Sequence, residues 1–203
     1  MLNLKECIKE EKNTHMEHIE DLIVLALEDE APNLFREYSN VHCIGVGKVN
    51  SAINTMHLCH LYHPNRIINL GTAGGIRSTF GVHRINTVWQ HDVNLTALGL
   101  LPGMHFNDSA SMITIPGIGK ICASGDIFIT EPKKIRIECD VVDMEAYSVA
   151  KVANQLGIDI EIWKYISDPA DIASGSTWKE QVAAGEPFYR TVLKQIEAKL
   201  VSR

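Results

Sequence analysis

The chain has 203 residues, a formal net charge of −6, 45 % hydrophobic and 22 % charged residues. These values are typical of one globular domain with a sizeable core and exclude disorder as the main state. The 19 basic residues are scattered rather than clustered, which argues against nucleic acid or an anionic membrane surface as a partner. No apolar run reaches the roughly 20 residues of a membrane helix, and the first residues lack a signal-peptide core. We therefore expect a cytoplasmic protein.

Residues 1–20 are polar and mixed in charge, and we interpret them as an N-terminal extension to a single domain over residues 21–203. From Asp21 onward, apolar β-branched runs alternate with helical patterns. This alternation predicts an α/β fold, a three-layer sandwich around a central mixed, largely parallel sheet. Strands are predicted at residues 22–27, 41–46, 66–70, 86–90, 120–124, 141–145 and 160–168, and residues 100–119 are predicted to be a loop.

The spacing of apolar residues and the residues typical of helix ends predict three helices. The first is expected to bury Val49, Ala52, Ile53 and Met56. The second covers residues 146–156 and stops at Gly157. The last, near the C-terminus, is predicted to begin at a capping box formed by Thr177 and Glu180.

Carboxylates follow several of the predicted strands. Ser167 and Asp168 end the strand 160–168, and small molecules bind outside the carboxyl ends of strands in open α/β sheets. Asp168 is therefore the strongest candidate for a catalytic acid. Glu145 and Glu30 stand at comparable positions, although Glu28 and Asp29 beside Glu30 are more simply explained by the favourable dipole of a helix N-terminus.

A small-residue turn and two aromatic residues complete a candidate pocket. The turn 71–75 allows a ligand to approach the backbone closely, or is a tight turn without a ligand. Phe128 and Trp178 offer flat walls. A partly apolar pocket with several carboxylates suits cleavage of a glycosidic bond, in which one carboxyl group protonates the leaving group and another handles the attacking water.

Other candidate sites have simpler explanations. His57, His60 and His63 are spaced so that two of them at most face one way, which favours a solvated helix face over a metal site. His91 and Asp92 are adjacent in sequence and point to opposite sides of an extended chain, so we expect a local or interface role rather than a catalytic dyad. The five cysteines include no Cys-x-x-Cys pair, which predicts reduced thiols. No metal and no cofactor is expected.

Seven motifs in register resemble 5′-methylthioadenosine/S-adenosylhomocysteine nucleosidases, which belong to the purine nucleoside phosphorylase and uridine phosphorylase superfamily. The resemblance runs from about Asp21 to the C-terminus and implies a nucleoside phosphorylase-like fold. The motifs that carry it are Ala26–Glu30, Gly45–Val49, Asn69–Gly75, His91–Ala97, Ser124–Ile129, Met144–Ala146 and Ile166–Asp171.

The resemblance implies a role for each matching residue. Asp168 is similar to the general acid that protonates purine N7, and Glu30 to the glutamate that activates the attacking water. Met144 and Glu145 resemble the pair that holds the ribose, while Phe128 and the backbone of Ile129 match the residues at the base. The remaining substrate-binding positions implied are Leu27, Val46, Thr72, Ala73, Gly74, Lys164, Ser167 and Trp178. Leu98 corresponds to a contribution from the partner subunit of a homodimer.

The function predicted is hydrolysis of the N-glycosidic bond of methylthioadenosine-like or adenosylhomocysteine-like nucleosides, releasing adenine within methionine salvage. Phosphorolysis needs arginines aimed at an oxyanion. Related phosphorylases have one arginine in the loop after the first strand and another just before the Gly-x-x-Gly turn. This chain has Leu27–Glu30 and Asn69 at those positions. A nucleosidase or phosphorylase for another purine nucleoside, or an inactive nucleoside-binding protein, stays open. Lys164 replaces the family's arginine near the ribose and loses its planar fork. Because Asp168 and Glu30 are expected to face the pocket, amide variants are expected to lose turnover, with binding or stability largely kept.

Overall fold

A computed structural model of the chain describes residues 18–78, 80–106, 108 and 111–201, with side chains described up to residue 198. The predicted N-terminal extension lies almost entirely outside the described residues, as does Cys7. Within the described part of the chain, no helix combines the length and the apolar character needed to cross a membrane.

In the described ranges, eight strands form one mixed sheet, in which most neighbouring pairs are parallel, as predicted. Antiparallel pairs join β3 to β7, β4 to β5 and β4 to β8. The strands are β1 (Asp21–Leu25), β2 (Val41–Cys43), β3 (Arg66–Gly75), β4 (Gly81–Gln90), β5 (Met112–Thr114), β6 (Lys120–Ser124), β7 (Val141–Asp143) and β8 (Asp159–Asp168).

The sheet is curled rather than flat, because β8 pairs with both β3 and β4. Together with β6 and β7 these strands close a ring of five. The turn after β3 is tight, and a Cβ on Gly75 would lie 2.4 Å from the carbonyl oxygen of Ser78. The α/β class is confirmed. The central sheet, however, closes into a partial barrel at these five strands and is not an open layer there.

Three of the predicted elements need correction. β3 and β4 are each ten residues long, because β3 pairs with β8 over nearly its whole length and the first half of β4, residues 81–85, also pairs with β8. Residues 71–75, predicted to be a turn, therefore belong to β3. The segment 100–119 was predicted to be a loop, but it contains the short strand β5, whose residues pair with the outer edge of β4. Three alternating residues are too short a pattern to distinguish a strand from a loop in the sequence.

Among the residues that the structure describes, five α-helices flank the sheet: α1 (Pro32–Glu37), α2 (Lys48–Tyr62), α3 (Ala146–Leu156), α4 (Ser174–Gln181) and α5 (Glu186–Val201). α3 matches its prediction and ends at Gly157, whose φ of 67° is the left-handed conformation typical of a helix end. The predicted capping box is wrong. Thr177 lies inside α4, and its hydroxyl donates back to the carbonyl oxygen of Ala173 at 3.2 Å.

The orientation of α2 also differs from the prediction. Val49 and Ile53 are 67 % and 62 % exposed, and the buried face carries Ser51, Asn54, Thr55 and Cys59 instead. Small side chains allow α2 to pack closely on α3, where the hydroxyls of Ser51 and Ser148 lie 2.5 Å apart. Ala52 and Met56 are partly buried against the core, as predicted, so apolar spacing identified the helix and part of its buried face.

The core lies on both faces of the strands β1 and β3. Alternate residues of β1 point to opposite sides. Ile23 and Leu25 join a cluster with α1 and α5, while Leu22 and Val24 join a cluster with α2 and α3. Burial of each such aliphatic side chain contributes about 1.5–3 kcal/mol to the stability of the folded state. This packing keeps the ends of the strands rigid, and these ends carry the candidate site.

Candidate active site

A cavity of about 180 Å³ opens at the carboxyl ends of β1, β3, β7 and β8, large enough for a small molecule rather than a single water. It brings together residues that are up to 152 positions apart in the sequence, from Ala26 to Trp178. The lining residues are Ala26, Leu27, Glu30, Val46, Thr72, Ala73, Gly74, Ile127, Phe128, Ile129, Val142, Asp143, Met144, Glu145, Ser167, Asp168 and Trp178. Every site residue expected from the sequence is among them except Lys164 and Leu98.

Glu30 is 3 % exposed and is fixed by four hydrogen-bond donors. The chain makes a 3₁₀ turn at residues 28–30 after β1, which brings the carboxylate back over the strand end. Its Oε2 accepts from the backbone N–H groups of Ala26 and Leu27 at 3.0 and 3.2 Å. Its Oε1 accepts from the backbone N–H and the hydroxyl of Thr72 at 2.6 and 2.9 Å.

Asp168 ends β8 and is also 3 % exposed, but it has fewer partners. Its Oδ2 accepts a hydrogen bond from the Ser167 hydroxyl at 2.9 Å, and its Oδ1 accepts one from the backbone N–H of Ala170, also at 2.9 Å. Ala170 has a positive φ of 54°, which turns the chain sharply away from the strand. These two partners leave other positions of the carboxyl group open, so part of Asp168 is available to a ligand.

Glu145 stands between β7 and α3, and its Oε1 accepts a hydrogen bond from the backbone N–H of Gly47 at 2.9 Å. Burial and the neighbouring Asp143 carboxylate raise the pKa of Glu145 to about 8, although the Lys164 ammonium and the Gly47 N–H oppose this shift. Glu145 is therefore mostly protonated at neutral pH in the unliganded protein, unlike an ordinary glutamate.

Lys164 does not line the cavity, contrary to the position expected from the family resemblance. It is buried below the floor, where its Nζ contacts Asp143 Oδ2 at 2.8 Å. Burial by itself would lower the pKa of Lys164, but the carboxyl groups of Asp143 and Glu145 raise it. A lysine reaches this depth beside β3 because residue 71 is glycine, where a Cβ would lie 3.2 Å from both Lys164 Nζ and Glu30 Oε1.

Asp143 is a lining residue that the sequence reasoning missed. Burial would raise its pKa, but the Lys164 ammonium and the hydrogen bonds from Ser124 and Ala146 outweigh that effect and hold the pKa below its ordinary value. The signal was present, because Asp143 ends a buried apolar strand just as Asp168 does. Ala26, Ile127 and Val142 were also missed, since apolar lining residues cannot be distinguished from core residues in a sequence.

The walls of the cavity are apolar and partly aromatic. Phe128 is 43 % exposed and lies between Ile127 and Ile129 on the segment after β6. On the other side, α4 contributes Trp178, whose indole Nε1 donates to the Thr72 hydroxyl at 3.1 Å. None of the lining residues in the described chain is a lysine, arginine or histidine, so the cavity has four acidic side chains and no cationic one.

The remaining candidate residues have local roles or are exposed. Asp92 bridges Lys48, at 2.6 Å, and the backbone N–H of Asp126, at 2.9 Å, which supports the local role predicted for that motif. The side chains of Glu28, Asp29, His57, His60 and His63 are exposed. Among the described residues, no group of three or more His, Cys, Asp or Glu side chains could hold a metal ion. Leu98 lies away from the cavity and is 63 % exposed.

The described cysteines are free, in agreement with the prediction of reduced thiols. Cys43, Cys59, Cys122 and Cys139 are all buried. Burial raises the pKa of Cys59 and of Cys139 to about 11, so neither is a thiolate nucleophile at neutral pH.

Comparisons with known proteins agree with the geometry. A family model described as the phosphorylase superfamily matches residues 35–122. The chain is 30 % identical to a 5′-methylthioadenosine/S-adenosylhomocysteine nucleosidase from Geobacillus sp. (strain WCH70) over 176 residues, which cover 74 % of this chain and 73 % of that protein.

Two solved structures show the same fold. The structure of a futalosine hydrolase mutant from Helicobacter pylori strain 26695 has a TM-score of 0.79 at 20 % identity, covering 89 % of this chain and all of that chain. The nucleosidase from Neisseria meningitidis in complex with methylthio-immucillin-A has a TM-score of 0.73 at 23 % identity, covering 82 % and 94 %. With the sequence relationship above, the chain belongs to the family of 5′-methylthioadenosine/S-adenosylhomocysteine nucleosidases within the phosphorylase superfamily.

Proposed function

We propose that the protein is an N-glycosyl hydrolase that cleaves 5′-methylthioadenosine-like or S-adenosylhomocysteine-like nucleosides and releases adenine. The observation that carries this proposal is that Glu30 and Asp168, from opposite ends of the chain, line one cavity together with Glu145. Cleavage of a glycosidic bond uses one group that protonates the leaving base and another that handles water, and these two carboxyl groups differ in their surroundings as such a division requires.

Asp168 is the proposed general acid. In the reaction, the bond between C1′ of the ribose and the purine nitrogen breaks, and its electron pair goes to the base. Asp168 donates a proton to N7 of the departing purine, which neutralises that charge. The Ser167 hydroxyl on Oδ2 and the Ala170 N–H on Oδ1 orient the carboxyl group for this transfer.

Glu30 is the proposed partner of the nucleophilic water. The water oxygen forms the new bond to C1′, and one water proton passes to the carboxylate of Glu30. Three backbone N–H groups keep that carboxylate in one orientation. Such fixed positioning of a reacting group supplies a large part of catalysis in many enzymes.

The other lining residues are proposed to bind the substrate. Glu145 and Met144 hold the ribose hydroxyls, and Phe128 stacks on the base while the backbone of Ile129 reads its edge. Thr72, Ala73 and Gly74 contact the substrate from the end of β3. The 5′-substituent is placed beside Leu27, Val46 and Trp178, all of which line the same cavity. Lys164 has an indirect role, as the charge partner of Asp143 beneath this surface.

Water rather than phosphate is the proposed nucleophile. A phosphate needs cationic side chains or N–H groups arranged around it, whereas the charged side chains that line this cavity are acidic. The nearest buried ammonium, that of Lys164, is already paired with Asp143 at 2.8 Å. These features favour hydrolysis over phosphorolysis.

We also propose a homodimer in which Leu98 reaches the partner's site. Exposed apolar side chains support this, since Val49 and Ile53 on α2 and Leu98 and Leu101 on the loop after β4 are each more than 60 % exposed. The Lys48–Asp92 ion pair joins the start of α2 to that loop. A cytoplasmic location and a role in methionine salvage belong to the same proposal, and the buried thiols agree with a reducing compartment.

Base release from a panel of nucleosides, with and without added phosphate, tests the proposal. We expect adenine from methylthioadenosine and adenosylhomocysteine at rates independent of phosphate, and little from adenosine 5′-phosphate, since the acidic cavity repels its charge. Phosphate-dependent release would instead establish a phosphorylase. No release from any nucleoside, despite measurable binding, would leave a nucleoside-binding protein.

A further inference from the structure

We propose that Trp178 is a positioning residue for Glu30, acting through the hydroxyl of Thr72. This inference rests on the proposed function, because it assigns Glu30 the role of handling water. It adds a second role for α4, which not only forms part of the cavity wall but also helps to position a reacting group.

A chain of two hydrogen bonds joins α4 to the carboxylate. The indole Nε1 of Trp178 lies 3.1 Å from Thr72 Oγ1, and Thr72 Oγ1 lies 2.9 Å from Glu30 Oε1. An indole N–H can only donate. The Thr72 hydroxyl therefore accepts from Trp178 and keeps its single proton for Glu30, so the direction of both hydrogen bonds is fixed.

This arrangement leaves the Thr72 hydroxyl one function toward a ligand. A hydroxyl has one proton and two lone pairs, and here the proton and one lone pair are committed. The second lone pair can accept a hydrogen bond from a water in the cavity, which Thr72 lines. A water held there contacts the same hydroxyl that donates to Glu30 Oε1, and Glu30 is the proposed acceptor of its proton.

The position of α4 is also tied to Asp168. The backbone N–H of Ala170 donates to Asp168 Oδ1 at 2.9 Å, and in the following turn the N–H of Asp171 donates to the hydroxyl of Ser174, the first residue of α4, at 2.7 Å. α4 is thus connected to Asp168 through its preceding turn and to Glu30 through Trp178. The helix is therefore hydrogen-bonded to the segments that hold both carboxyl groups.

Trp178→Phe is the decisive variant, because it keeps an aromatic wall and removes the N–H donor. We expect kcat to fall about tenfold or more, with KM changed less than about threefold, since the loss affects the orientation of a reacting group more than substrate contact. Thr72→Val should produce a similar loss, and Thr72→Ser should restore most of it. The double variant Trp178→Phe with Thr72→Val should be no worse than Thr72→Val alone, because both changes break one hydrogen-bond chain.

Trp163→Phe is the matched control. Its indole Nε1 also donates to a side chain, that of Glu161 at 3.3 Å, and it does not line the cavity. This variant should keep the kcat and KM of the unmodified protein. Unchanged kcat in Trp178→Phe, an effect confined to KM, or additive losses in the double variant would each overturn the proposal.

An NMR measurement separates this inference from the proposed function. In the ¹H–¹⁵N spectrum, Thr72→Val should shift the indole resonance of Trp178 and leave those of Trp89 and Trp163 in place. This result is independent of turnover, so absence of base release by the unmodified protein would refute the nucleosidase proposal alone. An unshifted Trp178 resonance would refute the hydrogen-bond chain even in an active enzyme.

Discussion

Glu30 and Asp168 reach the same cavity and are equally buried, yet the chain holds them in different ways. Glu30 accepts four hydrogen bonds, three of them from backbone N–H groups. Asp168 accepts one from a hydroxyl and one from a backbone N–H. The four donors hold the Glu30 carboxylate in one orientation, as a group that positions a water requires, whereas Asp168 keeps acceptor positions open toward a departing base. Their unequal surroundings assign the two groups different proposed roles.

The largest effect is expected from Asp168→Asn. The amide can still accept from the Ala170 N–H and donate to the Ser167 hydroxyl, so the local structure is retained, but no proton is available for the departing base. We expect kcat to fall by about 10²–10⁴-fold, with the free energy of unfolding changed by less than about 1 kcal/mol. Single-turnover base release and thermal unfolding measure the two quantities. A variant with unchanged turnover would remove Asp168 from the acid role.

The second-largest effect is expected on stability, from loss of the buried Lys164 charge below the floor of the cavity. Lys164→Met leaves Asp143 buried without its cationic partner, and removing one member of a buried pair costs about 3–5 kcal/mol. Denaturant unfolding should show this loss. The double variant Lys164→Met with Asp143→Asn should recover part of it, because no unpaired charge remains. A stable single variant would show that the ion pair contributes little.

Glu30→Gln should distinguish the two carboxyl groups most directly. The sequence suggested that this change would affect activity with little loss of stability, but the structure predicts both losses. Whichever way the amide is oriented, its NH₂ faces a backbone N–H donor, and an unsatisfied buried group costs about 1–3 kcal/mol. Thermal unfolding of Glu30→Gln beside Asp168→Asn tests this contrast. Equal melting temperatures would mean that the donors around Glu30 do not constrain its chemistry.

The smallest effect is a pH dependence of stability, which we expect from the third carboxyl group of the cavity, that of Glu145. Its pKa is raised from 4.5 to about 8 in the folded protein, so the folded state holds the proton more tightly than the unfolded state. The resulting stabilisation is complete below pH 4.5 and is lost as the pH rises through 8. The unmodified protein should therefore become less stable relative to Glu145→Gln between pH 5 and 8.5. Glu180→Gln, on the exposed face of α4, is the control and should show no such trend.

Glu145 should also make substrate affinity depend on pH. Ribose hydroxyls donate more favourably to an ionised carboxylate, so KM should fall by up to about tenfold between pH 6.5 and 8.5. In Glu145→Gln this slope should flatten. A KM that rises with pH in the unmodified protein would contradict the proposed contact.

The sequence by itself determined the α/β class, seven of the eight strands described and the polar residues at their ends. Apolar β-branched runs bounded by carboxylates are a local pattern, and Glu30, Glu145 and Asp168 all follow such runs. The apolar lining residues Ile127 and Val142 carried no comparable signal, because an apolar side chain in a wall and one in a core are alike in sequence.

Only the tertiary structure decided which groups contact each other. The closure of the sheet through β8 depends on pairing between distant strands, and it places Lys164 on Asp143 rather than in the cavity. The buried face of α2 includes Ala52 and Met56 from its apolar pattern, but its polar members Ser51, Asn54 and Thr55 follow from close packing on α3. The link from Trp178 through Thr72 to Glu30 likewise joins three segments whose proximity no local pattern encodes, because hydrogen-bond partners are selected by the folded geometry.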